Sequence, residues 1–328
     1  MIKKILWRCA LGLVLMLGCT SARKPDTAAT HPVPADSAMI VESEPVAVPV
    51  SDSDGSDAEE ISQETEPEKT KPETMEGEKT DPDAGVSLQE PDRFGSISPL
   101  AFRNVTNHAF RTGEYLEFQI GWKFFKAGTA TMSVSDTVWT NQRPCYFIET
   151  TASSSSVIDV FYKVRDKVES IIDRQAIFPW KFKKRLREGK FRRDRFTVFD
   201  PYQNLAYVKR DTVKIPPYVQ DILSSFYYVR TLPLEVGRHF DIENITDKKV
   251  YPLRVIVHKK EKVKVPAGRF QCLVVEPVLR GEGLFNQKGT LTIWLTDDAR
   301  KMPVMMKSEV FIGTVDVKLT QYKNTIPL

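Results

Sequence analysis

Apolar and polar positions alternate along most of the chain after residue 112. The first such run covers residues 113–124, and after Lys126-Ala127-Gly128 a second run continues to residue 138. A period of two predicts β-strands with one buried face, and the two runs predict a hairpin. The apolar face of the first run consists of Leu116, Phe118, Ile120, Trp122 and Phe124.

One segment departs from this alternation. After Pro216-Pro217, apolar residues are spaced as on one face of a helix, which predicts a helix from Tyr218 to about Arg230. Strand patterns resume at residue 240 and continue to residue 322. We therefore expect a mainly β fold of about a dozen antiparallel strands with one central helix. A strongly curved sheet, an open barrel and two packed sheets all satisfy this pattern.

The segment before the strands has a different composition. Residues 20–95 carry 6 Lys and Arg against 19 Asp and Glu, whereas residues 96–328 carry 38 against 24. The first of these segments is rich in Pro, Glu, Asp, Ser and Thr and nearly lacks aromatic residues, so it cannot bury enough apolar surface to fold. We expect residues 19–98 to be a disordered acidic tether and residues 99–328 to be a basic, β-rich domain.

The first eighteen residues are typical of an export signal. Lys3, Lys4 and Arg8 precede a short apolar core, which is too short to span a bilayer. The ending Leu15-Met16-Leu17-Gly18-Cys19 is similar to a bacterial lipobox, which predicts cleavage before Cys19 and lipid attachment to its sulfur. A plain secretory signal and an uncleaved anchor are the alternatives. Thr20, in place of an aspartate, favours the outer membrane.

Two further cysteines, Cys145 and Cys272, lie in strand-like segments of the β-rich domain. Oxidation is possible in an exported protein, so they could form a disulfide. They could equally be two buried free thiols that act as small apolar side chains.

Several spaced motifs together are similar to one known family. They are Gly113-Glu114-x-Leu116, Asp221-Ile222-Leu223-Ser224-Ser225-Phe226-Tyr227-Tyr228-Val229-Arg230, Val265-Pro266-Ala267-Gly268-x-Phe270 and Ile293-Trp294-Leu295-Thr296-Asp297-Asp298-Ala299-Arg300. In this order they resemble the bacterial domain of unknown function 3108 family over roughly residues 110–324. The resemblance implies an exported, β-rich protein of the Gram-negative envelope, and it implies no activity or catalytic residues.

The most distinctive candidate site is a basic hairpin that turns at Glu188-Gly189. Nine cations and two acidic residues lie within fifteen positions, so an anionic partner would relieve their mutual repulsion. The alternative is a solvated edge hairpin whose charges prevent aggregation. The candidate ligand-binding residues are Lys181, Lys183, Lys184, Arg185, Arg187, Lys190, Arg192, Arg193 and Arg195.

Other chemistry is sparse in the sequence. The four histidines are scattered without metal-ligand spacing, and we expect no metal and no cofactor. Export makes nucleic acid a poor partner. Asp297 and Asp298 are the best candidates for acid–base work, although adjacent carboxylates usually stabilise turns.

These observations lead to one main hypothesis and two alternatives. We expect a non-enzymatic outer-membrane lipoprotein that faces the periplasm and binds an anionic or amphiphilic envelope component, or a partner protein, through its basic domain. One alternative is a hydrolase of envelope glycan or lipid that uses Asp297 or Asp298. The other is a scaffold subunit of an envelope assembly.

Overall fold

The computed structural model describes residues 102–122, 125–279, 291–310 and 313–327, and all of them belong to one compact unit. The predicted signal peptide (residues 1–18), Cys19 and the tether (residues 19–98) lie outside the described residues. These three predictions therefore remain predictions.

The first half of the domain is a run of eight strands, each paired antiparallel with the next. A single turn of helix, α1 (Ser156–Asp159), lies between the third and fourth strands. The strands are β1 (Tyr115–Trp122), β2 (Phe125–Thr140), β3 (Arg143–Ser154), β4 (Arg165–Asp173), β5 (Pro179–Glu188), β6 (Phe191–Asp200), β7 (Leu205–Val208) and β8 (Asp211–Lys214).

The second half repeats this arrangement with six strands. A helix, α2 (Ile222–Thr231), lies between the two halves in the sequence. The strands are β9 (His239–Thr246), β10 (Lys249–Val265), β11 (Gly268–Leu279), β12 (Leu291–Thr296), β13 (Pro303–Val310) and β14 (Gly313–Lys323).

The two halves form one sheet because the first strand pairs antiparallel with the last. The strand order is β8-β7-β6-β5-β4-β3-β2-β1-β14-β13-β12-β11-β10-β9, so β8 and β9 are the two edges. Within the described residues these edges do not pair, and the sheet is not closed into a barrel. The predicted mainly β fold class is confirmed. The sequence pattern allowed a curved sheet, an open barrel or two packed sheets, and the described strands form a single antiparallel sheet.

The alternation in the sequence determines which face of the sheet is buried. In β1, Leu116, Phe118 and Ile120 are buried, and the residues between them are partly exposed. Phe118 and Ile120 pair in register with Leu319 and Val317 of β14, which are also buried. These side chains belong to the same apolar core as Leu223, Tyr227 and Val229 of α2. The sheet therefore packs its apolar face against the helix.

The helix begins later than the spacing of apolar residues predicts. Tyr218 has a positive φ of 58°, and the following residues are extended. Gln220 forms a parallel bridge to β9, with its N–H donating to the Glu243 carbonyl and its carbonyl accepting from Ile245. Asp221 then caps the helix and precedes its first turn.

Two further details differ from the sequence pattern. The pattern suggests two strands between residues 251 and 265, whereas β10 is one strand whose register shifts between Val257 and Lys259. The short helix α1 has no counterpart in the prediction. Neither helix in the described part of the chain is long and apolar enough to cross a membrane.

Candidate functional site

The basic hairpin is present as β5 and β6, and it turns at Gly189, which has a φ of +57°. Its nine cations are not equivalent. Lys190 and Arg192, beside the turn, are exposed, whereas the other seven are buried or only partly exposed. Lys181 and Lys184 are the most buried of them. The hairpin is therefore not a uniformly solvated row of charge.

Carboxylates from within and outside the hairpin pair with several of these cations. Arg187 makes two hydrogen bonds to Asp194 on the facing strand, at 2.7 and 3.0 Å. Arg193 and Arg195 both bond to Asp247, in the turn between β9 and β10, at 3.1 and 2.9 Å. Asp247 was not predictable as a partner, because it lies more than fifty residues away along the chain. Part of the predicted repulsion is therefore relieved inside the domain.

Three of the nine cations line a cleft on the helix side of the sheet. Lys184, Arg193 and Arg195 form its charged wall, and the start of α2 and the turn between β9 and β10 complete it. The cleft contains about 520 Å³ of empty space, part of it open to solvent. Its remaining lining consists of Phe182, Thr197, Phe199, Val208, Asp221, Ile222, Ile245, Thr246 and Asp247. Charged and apolar side chains thus meet in one concave site.

Asp221 is the acidic group on the floor of this cleft. It accepts hydrogen bonds from the backbone N–H groups of Leu223 and Ser224, and from the Ser170 hydroxyl at 2.7 Å. Its burial raises its pKa to about 6, although these hydrogen bonds act in the opposite direction. Asp221 therefore gains a proton on mild acidification, and the cleft then becomes more positive.

A second concave site is lined by residues farther along the same helix. It contains about 380 Å³ of empty space, and its lining is apolar apart from one serine. The lining residues are Ser225, Phe226, Val229, Leu253, Val255, Val275, Pro277, Ile293 and Leu295. The charged cleft therefore lies at the start of the helix, and the apolar groove lies farther along it.

A buried ion pair fixes the end of the helix to the start of the sheet. Arg230 donates two hydrogen bonds to the Glu114 carboxylate, at 2.7 and 2.8 Å, and both side chains are 0% exposed. The Arg230 guanidinium also donates to the backbone carbonyls of Ala109 and Arg300. Both residues lie in the family motifs, but their pairing is not predictable, because a single sequence holds no signal that links positions 116 residues apart.

Asp297 and Asp298 occupy a turn after β12, and different cations neutralise them. The Asp297 carboxylate pairs with Lys260 at 2.8 Å. Asp298 accepts from the Thr296 hydroxyl and from the Arg300 side chain and N–H. Burial opposes these bonds, yet they hold the pKa of Asp298 below its usual range. The geometry is that of a turn, and a general acid would require a raised pKa.

The two cysteines of the domain are both free and buried. Cys272 lies in the main core, whereas Cys145 belongs to a separate cluster with Phe178 and Trp180. Burial raises the pKa of Cys272 to about 12. Of the two alternatives, the structure has the pair of buried thiols and not the disulfide. Among the described residues, no group of three or more His, Cys, Asp or Glu side chains could hold a metal ion.

These features define a class of protein: a single open antiparallel sheet that packs on a central helix, with a charged cleft beside the helix. The chain belongs to the family described as DUF3108, a protein family of unknown function, whose model matches residues 117–320. The resemblance stated from the motifs is thereby confirmed. No curated protein matches the chain in sequence.

Three solved structures are similar to this chain. The first is a β-barrel-like protein of the DUF1849 family from Brucella abortus, 10% identical, with 66% of this chain and 99% of that one covered and a TM-score of 0.48. A candidate lipoprotein from Parabacteroides distasonis is 10% identical, with coverages of 67% and 99% and a TM-score of 0.32. A candidate exported protein with a YmcC-like fold from Bacteroides fragilis is 11% identical, with coverages of 67% and 100% and a TM-score of 0.31. At these values, none of them carries an argument about function.

Proposed function

We propose that the protein is a non-enzymatic lipoprotein of the Gram-negative envelope whose domain binds an anionic amphiphile. Lipidated Cys19 would hold it at the outer membrane, and the acidic tether would let the domain work away from that anchor in the periplasm. The export signal and the lipobox in the sequence support this location. The observation that carries the binding function is the cleft in which Lys184, Arg193 and Arg195 meet apolar side chains.

The charge of the cleft favours an anion. Its lining holds three cations and two carboxylates, Asp221 and Asp247. Arg193 and Arg195 both bond to the Asp247 carboxylate, and the lining as a whole has one more cation than carboxylates. Protonation of Asp221 near pH 6 increases this excess. An anionic headgroup would therefore bind beside Arg193 and Arg195.

The rest of the lining favours an apolar tail on the same ligand. Phe182, Phe199, Ile222 and Ile245 present apolar surface next to the charged wall. The lining of the cleft therefore offers both charged and apolar contacts. A single-chain amphiphile with a phosphate or carboxylate headgroup matches this combination of side chains.

The paired carboxylates give the hydrolase alternative no support. Asp297 and Asp298 each have a cationic partner, and the lowered pKa of Asp298 disfavours a role as a proton donor. The binding function therefore rests on the cleft and needs no reacting group.

Calorimetric titration can test this proposal. The chain without residues 1–18, with Cys19→Ser to prevent lipidation, would be titrated with lysophosphatidic acid and, separately, with lysophosphatidylcholine. We expect one-to-one binding of the anionic lipid and at least about tenfold weaker binding of the zwitterionic one. Arg193→Gln with Arg195→Gln should weaken lysophosphatidic acid binding about tenfold or more, because charged hydrogen bonds are lost.

The matched control is Lys262→Gln with Lys264→Gln. These two exposed lysines of β10 are not among the lining residues, and their replacement removes the same charge. This control should bind like the parent chain. Absence of binding by the parent, or an equal loss in the control, would show that the cleft is not an anion-binding site.

A further inference from the structure

The start of β2 and two connections between strands lie at one end of the sheet. The connections are the segment between β3 and β4 that contains α1, and the β5–β6 turn. The Ser155 N–H donates to the Ala127 carbonyl at 2.9 Å, which joins the first connection to the start of β2. The Gly189 N–H donates to the Lys163 carbonyl at 2.7 Å, which joins the β5–β6 turn to the first connection. These three parts therefore adjoin one another.

This end of the sheet exposes large apolar side chains. Phe125 is 65% exposed, Val157 70%, Val160 78% and Phe161 74%. We call these four residues the apolar tip. Single exposed apolar residues are ordinary, but several on adjoining segments make a patch of the kind that binds a partner or a membrane. These four side chains are not part of the buried apolar clusters of the described residues.

Exposed cations surround the apolar tip. Lys126 follows Phe125, Lys163 follows α1, and Lys190 and Arg192 flank the β5–β6 turn, all of them exposed. The exposed Arg165 lies at the same end, but it pairs with Asp159 at 2.6 Å. Lys190 and Arg192 are also the two exposed candidates of the basic hairpin. Positive charge around the tip is therefore in excess.

This combination identifies the kind of partner. Apolar side chains that project from turns, with lysine and arginine around them, are the composition of segments that enter the headgroup boundary of an anionic bilayer. An anionic headgroup layer complements the cations, and the acyl boundary below it accepts the phenylalanine and valine side chains. A protein surface would need separate acidic and apolar regions to match both.

We propose that this end of the sheet docks on the surface of an anionic lipid bilayer. Phe125, Val157, Val160 and Phe161 enter the boundary between headgroups and acyl chains. Lys126, Lys163, Lys190 and Arg192 contact the headgroup phosphates. Docking through the tip is independent of the lipid at Cys19 and of ligand binding in the cleft, so each can be tested without the other.

Sedimentation with vesicles tests the docking surface. The chain without residues 1–18, carrying Cys19→Ser, would be mixed with vesicles of equal parts phosphatidylglycerol and phosphatidylethanolamine, and separately with phosphatidylcholine vesicles. We expect it to bind the anionic vesicles and to dissociate as salt is raised. Phe125→Ser with Phe161→Ser should weaken this binding about tenfold or more, because two apolar side chains no longer enter the bilayer.

The structure provides a matched control at the opposite end of the sheet. Trp139 lies beside the β2–β3 turn and is 69% exposed, like the residues of the tip. Trp139→Ser should leave vesicle binding unchanged, and the thermal melting temperature of each variant should match that of the parent. The cleft variant Arg193→Gln/Arg195→Gln should also keep vesicle binding, so failure of the cleft and failure of the tip are distinguishable.

Three outcomes would overturn the docking surface. The first is that the parent chain does not bind anionic vesicles. The second is that Trp139→Ser weakens vesicle binding as much as Phe125→Ser/Phe161→Ser does. The third is that the parent is a dimer by sedimentation equilibrium and Phe125→Ser/Phe161→Ser is a monomer, while both bind vesicles equally. That result would assign the tip to contact between two copies of the chain.

Discussion

Opposite charges meet at two places next to helix α2, and the two places differ in burial. Glu114 and Arg230 are 0% exposed and form a pair of matched hydrogen bonds at the end of the helix. At the cleft beside the start of the helix, the side chains of Arg193, Arg195 and Asp247 are 18%, 25% and 35% exposed. The first site is fully buried and pairs one cation with one carboxylate. The second site is partly exposed to solvent, and two cations bond to one carboxylate there.

This difference separates a structural role from a binding role. A buried ion pair gives little net stability over apolar side chains of the same shape, but removal of one partner is costly because a charge remains buried. Partly exposed ion pairs contribute little to stability, because water and salt screen them. Glu114 and Arg230 therefore hold the helix in place, and Arg193 and Arg195 can exchange part of their contact for a ligand.

The largest change in the free energy of unfolding is expected when the buried pair of Glu114 and Arg230 is broken. Glu114→Gln should lower the free energy of unfolding by about 3–5 kcal/mol, because the Arg230 charge loses its counterion in the core. The urea midpoint would measure this loss. Replacement of both partners, by Glu114→Leu with Arg230→Met, should restore a large part of the stability, since no buried charge remains.

Glu117 is the control for this variant. It lies on β1 three residues after Glu114, is partly exposed and accepts a long hydrogen bond from Tyr115. Glu117→Gln should change the urea midpoint only slightly. A loss as large as that of Glu114→Gln would mean that position in the strand, and not the buried pair, determines the cost.

A smaller change in the free energy of unfolding, which depends on pH, is expected when Asp221 is replaced. Its pKa is raised to about 6 in the folded domain, against about 4 in an unfolded chain. Between these values the folded state binds more protons, so stability should fall as pH rises from 4 to 6 and level off above that range. The shift corresponds to roughly 2–3 kcal/mol. Asp221→Asn keeps an acceptor for the helix cap and should remove this contribution.

Urea unfolding at several pH values from 4 to 8 would measure the difference between Asp221→Asn and the parent. Ser224→Ala is the matched control, because it removes the other half of the capping box without changing a charge. The stability of Ser224→Ala should still fall as pH rises from 4 to 6, because Asp221 is retained. A fall of the same size in Asp221→Asn would contradict the raised pKa.

The smallest effect on stability is expected at the cleft. Arg193→Gln with Arg195→Gln should change the free energy of unfolding by less than about 1 kcal/mol, because the lost pairs are partly exposed. The same variant should show the largest loss of lysophosphatidic acid binding. If this variant were strongly destabilised, Arg193 and Arg195 would have a structural role like that of Arg230. The two sites would then not differ in role.

The sheet could be predicted from the sequence because its signal is local. Each strand alternates apolar and polar residues, and the alternation alone indicates which residues face the core, as Leu116, Phe118 and Ile120 show. The position of the helix was also predictable from spacing. Its first residue was not, because Tyr218 lies in a turn with a positive φ and Gln220 pairs with β9, which is a contact with a distant strand.

The candidate site was predictable only in part. The density of cations in β5 and β6 is visible in the sequence, but their partner Asp247 is not, since curvature of the sheet brings it close. The pairing of Glu114 with Arg230 was not predictable for the same reason, because it joins the residue before the first strand to the helix. A local pattern reports burial, whereas pairing between distant charges depends on the completed fold.

The pairing of the first strand with the last has a consequence for how the domain is made. Tyr115 faces Lys323, more than two hundred positions away along the chain, whereas every other strand pair joins neighbours in sequence. Strands β1–β8 can therefore pair with one another early in synthesis. The two halves of the sheet can join only after β14 has left the ribosome. Closing so long a loop adds little to its equilibrium cost and slows folding considerably. A nascent chain that ends before residue 313 would present β1 and β13 as bare edges, ready to pair with other chains.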